Sequence, residues 1–342
     1  MNEPFDFIAI GDTVTDDFIR IKEASVLRIE GSDGVTNEEL CLVNGAKIPY
    51  EFNKILAGVG NSANAAVAAA RLGLRSALVA DVGADRRGNE ILSALAKEGV
   101  DTRFIRSHEG LATNFHYVLW HNAERTILIK HENYPYALPD IGEPRWIYFS
   151  SVGENSLTYH DEIAAYLEAH PAVKLAFQPG TFQIKLGAKR LARLYERAEI
   201  FFCNVEEARV ILNDGASKPE ELPKKMSALG PKISVITDGP KGAYAYVASE
   251  DRSVSGVTYF MPPYPDPKPP YERTGAGDAC ASTITIALAL GLPFTTALQW
   301  GPINSMSVVQ YIGAQEGLLT RAKLEEYLRA KPEYYVAEQL PV

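Results

Sequence analysis

The residues best suited to chemistry stand in the segment YERTGAGDACAS, residues 271–282. Gly275, Ala276 and Gly277 precede Asp278, and beyond it the chain turns apolar as far as Phe294. Glycines ahead of a helix let the backbone turn sharply and bring its N–H groups to face a ligand. The first turn of a helix adds partial positive charge and unpaired donors, so such a turn is an anion site. Asp278 admits two readings. Aspartate is a favoured helix cap. A carboxylate beside an anion hole can also accept the proton of a hydroxyl as that hydroxyl attacks a phosphoryl group, a reaction that asks the protein mainly for positioning and charge stabilisation.

These residues need a scaffold, and the hydrophobic pattern supplies one. Residues 5–10 read as a buried strand, 61–72 as an alanine-rich helix stopped by Gly73, 76–82 as a strand and 89–98 as an amphipathic helix. After Pro144 the alternation resumes, with strands at WIYFSS, KLAFQP, IFFCN and KISVIT and helices at 159–169, 189–197 and 206–212. GAYAYVA and GVTYFMP read as a hairpin, and the proline-dense PPYPDPKPPYERTG as an extended loop. Helices at 278–290 and 294–311 and a charged helix from Arg321 complete the chain. Strands alternating with helices predict an α/β fold, a mainly parallel sheet covered on both faces. Two β-rich excursions, approximately 16–55 and 108–135, break that rhythm and are expected to pair into a small separate sheet. Their turns fall at EGSDG (30–34) and HNAE (121–124).

Composition narrows the function classes. A formal charge of −9 over 342 residues argues against a general nucleic-acid surface, which needs clustered Lys and Arg. Cys41, Cys203 and Cys280 are widely spaced and form no CxxC pair, so neither a disulfide framework nor a zinc site is expected. His116, His121 and His131 read as polar residues of the second sheet, without metal-like spacing. The segment MNEPFDFIAIGD has no basic region followed by a long apolar run, and the apolar stretch at 279–294 is too short to span a bilayer. A cytoplasmic protein with no membrane partner is the expectation. No GxxxxGK[ST] is present, and no GxGxxG follows the first strand, which sets aside P-loop and dinucleotide folds.

TGAGDA after a proline-rich loop resembles the C-terminal signature of the ribokinase-like (PfkB-type) carbohydrate and nucleoside kinases. Five further segments are similar to that family, in order: GVGNSANAAVAAARLGL (58–74), DVGADRRGNEILSALAKEGVDT (81–102), AERTIL (123–128), NVEEA (204–208) and ITDGPKGA (236–243). The resemblance runs from about residue 5 to 317. It implies an ATP-dependent kinase that transfers the γ-phosphate, with Mg2+, to a hydroxymethyl group of a sugar or nucleoside. Asp278 is then the base, and Gly275, Ala276 and Gly277 the anion hole. Asn204 and Glu207 would organise Mg2+ through water, set against a plain capping box. Thr237, Gly239, Lys241 and Gly242 would meet ATP, with Asp238 turned to solvent, and Asn304 would line the adenine pocket. Asp16, Gly60 and Asn64 would hold the acceptor, carboxylate and amide groups being suited to vicinal diols.

By the same resemblance, the excursions at 16–55 and 108–135 form a β-sheet lid that excludes water. Its aromatics Phe115, Tyr117, Trp120, Tyr134 and Tyr136 could pack on a ligand, and its sheet could pair two subunits into a homodimer. Three departures stand out. Arg273 replaces an acidic or polar residue in a segment that in many members holds a monovalent cation. A guanidinium there repels potassium, so weak or absent potassium activation is expected. Val59 interrupts a glycine pair, and FQPGTFQIK (177–185) replaces a more polar strand end. The rival reading is a catalytically weak sugar or nucleotide sensor of the same fold.

Overall fold

The computed structural model describes residues 3–30, 36–122, 124–251 and 255–341. Its centre is a ten-stranded sheet. Parallel strands run in the spatial order Ile105–His108, Ser76–Gly83, Phe7–Ile10, Trp146–Phe149, Lys174–Phe177, Ala198–Asn204 and Ile233–Thr237. Antiparallel strands Ala243–Val247, Val257–Met261 and Glu338–Gln339 finish one edge. The first strand lies inside the sheet, and the chain winds outward from it first to one side and then to the other. Side chains alternate across the strands, so one face takes Phe7 and Ala9 and the other Ile8 and Ile10. The first face is covered by helices Asn61–Arg71, Ala276–Ala289 and Phe294–Val308, the second by Leu157–Ala169, Val205–Leu212 and shorter helices. Ligand crevices in such sheets form beyond the carboxyl ends of the strands, where the winding direction reverses.

The two excursions do pair, as the pattern predicted. Tyr50–Val59, Val14–Ile21, Phe115–His121 and Glu124–Lys130 form a four-stranded sheet in that order. Val14–Ile21 pairs in parallel with Phe115–His121, and the other two pairings are antiparallel. Strands Ser25–Glu30 and Thr36–Cys41 stand apart as a hairpin. Most of the EGSDG turn, at 31–34, and Ala123 of the HNAE turn lie outside the described residues.

Helices Thr181–Leu186 and Leu222–Ser227 and strand Glu338–Gln339 were not anticipated, and the helix at 189–197 is shortened to Ala192–Arg197. Six residues make fewer than two helical turns, too few for a periodic signal. Helix Ala276–Ala289 is covered along most of its length, and its polar residues are satisfied locally. Ser282 donates to Asp278 O and Thr285 to Ala281 O, while Thr283 accepts from Asn304. Among the described residues no helix is long and apolar enough to cross a membrane.

Candidate active site

Strand ends and the start of one helix converge on a cavity of about 360 Å3. Asp278, in the first turn of helix Ala276–Ala289, lines it. Its carboxylate is gripped by two amides: Asn64 Nδ2 donates to Oδ2 at 2.9 Å, and Gln178 Nε2 to Oδ1 at 3.1 Å. Each amide is itself held. Gln315 Nε2 donates to Asn64 Oδ1 at 3.0 Å and to Gly58 O at 2.7 Å, and the Tyr148 hydroxyl donates to Gln178 Oε1. Among the described residues the carboxylate accepts no backbone N–H, so Asp278 does not cap its helix. Burial pushes its pKa above the ordinary value, while the Asn64 and Gln178 bonds and the charge of Arg125 pull the other way.

The preceding turn presents backbone donors. Among the described residues the N–H groups of Gly275, Gly277 and Asp278 have no acceptor, whereas Ala279 N–H is committed to Gly275 O at 2.8 Å. Ala276 departs from expectation: its N–H turns back to Arg273 O at 3.4 Å. The free set is therefore Gly275, Gly277 and Asp278. Gly275 needs its residue type, because φ is +79° and a Cβ would stand 2.2 Å from Ala314 Cβ. Buried Glu272, which the sequence did not single out, braces the turn. Its Oε1 accepts from Thr274 N and Oγ1 at 2.8 and 2.6 Å, and its Oε2 from Gly313 N at 3.3 Å.

Asn204 and Glu207 line the same cavity and form a reciprocal capping box: Asn204 Oδ1 accepts from Glu207 N at 2.8 Å and Glu207 Oε2 from Asn204 N at 2.9 Å. Capping and ligand contact are compatible here, because Glu207 Oε1 has no hydrogen-bond partner among the described residues. Burial pushes the Glu207 carboxyl up; the Asn204 backbone bond opposes this, and the charges of Asp278 and Glu206 add to it. Two carboxylates that disfavour each other's charge are a setting that a hard cation relieves.

A second cavity of about 200 Å3 adjoins the first, and Thr237, Arg273 and Gly277 line both. It is a slot with Pro240, Pro263, Pro302, Met306 and Val309 on its walls, and Gly239 and Gly242 at its rim. Two expected residues are absent from it. Lys241 is 76% exposed and lies 3.6 Å from Asp238, whose side chain is covered rather than turned to solvent. Asn304 is fully buried, donating to Thr283 Oγ1 at 2.8 Å and accepting from Leu319 N at 2.9 Å. Its helix presents Ser305 and Met306 to the slot instead.

On the lid side, Asp16 and Gly60 line the first cavity as expected, as does Asn64, although its amide is largely committed to Asp278 and Gln315. Asp16 Oδ1 lies 3.1 Å from His116 Nδ1. His116 Nε2 lies 3.1 Å from His131 Nε2, and His131 Nδ1 lies 2.9 Å from Asp12 Oδ2, which also accepts from the Tyr136 hydroxyl. The two histidines thus stand in a row between two carboxylates, hydrogen-bonded to each other and to Asp12 but only adjacent to Asp16, an arrangement with no signature in sequence. None of the five lid aromatics lines the cavity. Trp120 packs on Tyr271 and Arg20, Phe115 lies under Arg87, Tyr134 and Tyr136 are drawn inward, and Tyr117 faces away. Arg273 reaches Glu124 of the lid at 3.4 Å.

The pfkB family carbohydrate kinase model matches residues 46–321. The chain is 28% identical to the ribokinase of Bacillus subtilis (strain 168) over 280 residues, covering 79% of this chain and 87% of the relative. It is 26% identical over 315 residues to the 2-dehydro-3-deoxygluconokinase of Thermoproteus tenax, covering 82% and 87%. Among solved structures, the Arabidopsis thaliana ribokinase complexed with ribose and ATP superposes with a TM-score of 0.77 at 18% identity, over 96% of this chain and 99% of that one. A nucleoside kinase of Methanocaldococcus jannaschii gives 0.73 at 17% identity, over 96% and 100%. These structures share the fold.

Proposed function

The chain belongs to the pfkB family of carbohydrate kinases, and from that premise we propose that it transfers the γ-phosphate of ATP to a hydroxymethyl group of a small sugar, with Asp278 as general base. The observation that carries this is the Asp278 carboxylate, held at both oxygens by side-chain amides in a cavity whose rim carries three uncommitted backbone N–H groups. The acceptor occupies the cavity lined by Asp16, Gly60, Asn64 and Gln178, and its hydroxyl loses its proton to Asp278. The amides of Gly275, Gly277 and Asp278 receive the charge of the transferring group. The nucleotide base lies in the apolar slot, and its phosphates pass Thr237. Bound magnesium neutralises phosphate charge; Glu207, beside Asn204, is the residue that would hold it, through water.

A sugar is favoured over a nucleoside because the lid turns no Phe, Tyr or Trp ring into the acceptor cavity; its one ring there is the His116 imidazole beside the Asp16 carboxylate. Ribokinase and sugar-acid kinases among the relatives agree with that choice. The outward lid face carries exposed Ile55, Tyr117 and Leu128 in one row across the sheet, with Asp17 between the first two, a surface suited to a second copy; the solution mass of the full chain checks this. Asp278→Asn keeps the amide grip in shape but removes the base. In a coupled assay over a panel of sugars and nucleosides, turnover should vanish while ATP binding by calorimetry persists. An active Asn variant refutes the base; silence of the wild type across the panel, with nucleotide still bound, favours a sensor.

A further inference from the structure

Asp16, on the lid side of the cavity, has an unmet need. It is 8% exposed, and its Oδ1 is buried without a hydrogen-bond donor among the described residues. A buried carboxylate oxygen left unpaired costs free energy. Across the strand pair, His116 Nδ1 stands 3.1 Å from it. The row continues from His116 Nε2 to His131 Nε2 at 3.1 Å, and from His131 Nδ1 to Asp12 Oδ2 at 2.9 Å. It thereby runs from the lid to Asp12, just past the central strand Phe7–Ile10. Phe182 packs edge-on against the His131 ring, and the four side chains are at most 16% exposed.

The protons of this row can be counted. Gly153 N–H donates to the Tyr136 hydroxyl, whose own hydrogen goes to Asp12, so Asp12 accepts from Tyr136 and from His131. The contacts Asp12–His131, His131–His116 and His116–Asp16 take one proton each, and two neutral imidazoles carry two. With the His131 proton committed to Asp12, either tautomer of His116 leaves one contact as two facing lone pairs: Nδ1 against Asp16 Oδ1, or the two Nε2 atoms against each other. One further proton satisfies all three contacts and sets a positive charge between two carboxylates. No other charged group competes for the rings. Lys130 and Glu132 flank His131 and pair with each other at 3.1 Å, and Arg125, Glu207, Arg273 and Asp278 line the cavity without an ion pair to either ring among the described residues. Resting on the kinase reading above, we infer that His116 is a positioning residue: it shares one extra proton with His131, donates through it to Asp16 Oδ1, and so aims the other Asp16 oxygen at a hydroxyl of the sugar. A carboxylate of a sugar acid is repelled at that place. The sign is opposite to that of the base. Asp278 fails when it gains a proton and acts on kcat; the row fails when it loses one, and acts on KM for the sugar.

The test uses the full-length chain as wild type, His116→Gln and His131→Gln, the amides being polar but unable to hold the proton. Steady-state assays with the best sugar of the panel run from about pH 6 to about pH 9, the range around histidine titration. Wild-type KM for the sugar should rise about tenfold or more toward alkaline pH, the worth of a hydrogen bond to a charged group, while KM for ATP stays level. In both variants KM should be high throughout and the alkaline rise gone, with kcat at saturating sugar within a few-fold of wild type. Nuclear magnetic resonance of the wild type labelled with 15N-histidine reads the proton directly and does not depend on a variant folding. His116 and His131 should together take up one proton over a range in which His121 and His170 take up one each. A full proton on each ring of the pair, taken up independently, overturns the inference. So does a wild-type KM for the sugar that is flat with pH, or a variant that keeps the alkaline rise, which would leave the histidines a structural role alone. A wild type silent over the whole panel overturns the kinase reading instead, and the spectra then still decide whether the row shares a proton.

Discussion

Asn64→Asp changes one amide nitrogen to oxygen at the atom that grips the Asp278 carboxylate, the proposed base. In the native site Asn64 Nδ2 donates to Asp278 Oδ2 at 2.9 Å. The substitution replaces that donor with an acceptor and sets two carboxylates at the same separation. Two unit charges 2.9 Å apart repel by about 6 kcal/mol at an effective dielectric of about 20. Relaxation that removed half of this would still leave about 3 kcal/mol, roughly two powers of ten in the proton-binding constant of the pair. The pair should therefore share one proton at neutral pH, as closely spaced carboxylates do. The sign follows from the native site. Burial already raises the Asp278 pKa, so wild-type kcat/KM should fall on the acid side at a pH above that of an ordinary aspartate. Asn64→Asp should move that acid limb up by about two pH units, lower activity most on the acid side, and let activity recover as pH rises. A pH–rate profile with the best acceptor, alongside a thermal melt, reads this out. A uniform loss with the acid limb unmoved would show that Asp278 is not the titrating group.

Two further perturbations separate chemistry from scaffolding. Gly277→Ala places a Cβ where nothing lies within 4 Å; the protein should fold with a thermal midpoint within a few degrees of wild type, yet the methyl stands among the free amides and kcat should drop at least tenfold in the coupled assay. Glu207→Gln retains an oxygen for the Asn204 N–H bond but loses the charge, so stability should change by less than about 1 kcal/mol while half-maximal activity needs several-fold more magnesium in a titration at fixed ATP.

The parts of the site that sequence revealed were those written in contiguous residues. Gly275 to Asp278 announce themselves because glycines and a carboxylate ahead of an apolar helix have few other uses. The βα alternation likewise predicted the sheet, since a buried parallel strand must be apolar on both faces. Asn304 misled for a reason of phase. One residue along a helix turns a side chain by about 100°, so a match that places the right helix can choose the wrong face, and here Ser305 rather than Asn304 meets the slot. Lys241 misled because an exposed 3-10 turn gives its long side chain an ion partner in Asp238 and no route inward.

Gln178, Gln315 and Glu272 were not legible as parts of the site, and the sheet order explains why. Gln178 is an isolated amide beyond a buried strand, Gln315 follows a helix more than 130 residues later, and Asn64 opens a helix near the start of the chain. No local pattern joins them. Only the inward position of the first strand, with helices Asn61–Arg71 and Ala276–Ala289 packed side by side on one face, brings Asn64 to Asp278. A base that must be both partly buried and ionised needs donors at each oxygen, because burial alone would keep it protonated. If Asp278 is the base, that requirement accounts for Asn64 serving as its grip: Asn64 Nδ2 meets the Asp278 carboxylate, and its Oδ1 is braced by Gln315. On the proposed reading, acceptor recognition would then rest more on Asp16, with the His116 ring beside it, at the one place in the cavity where a carboxylate oxygen is buried and still without a hydrogen-bond donor among the described residues.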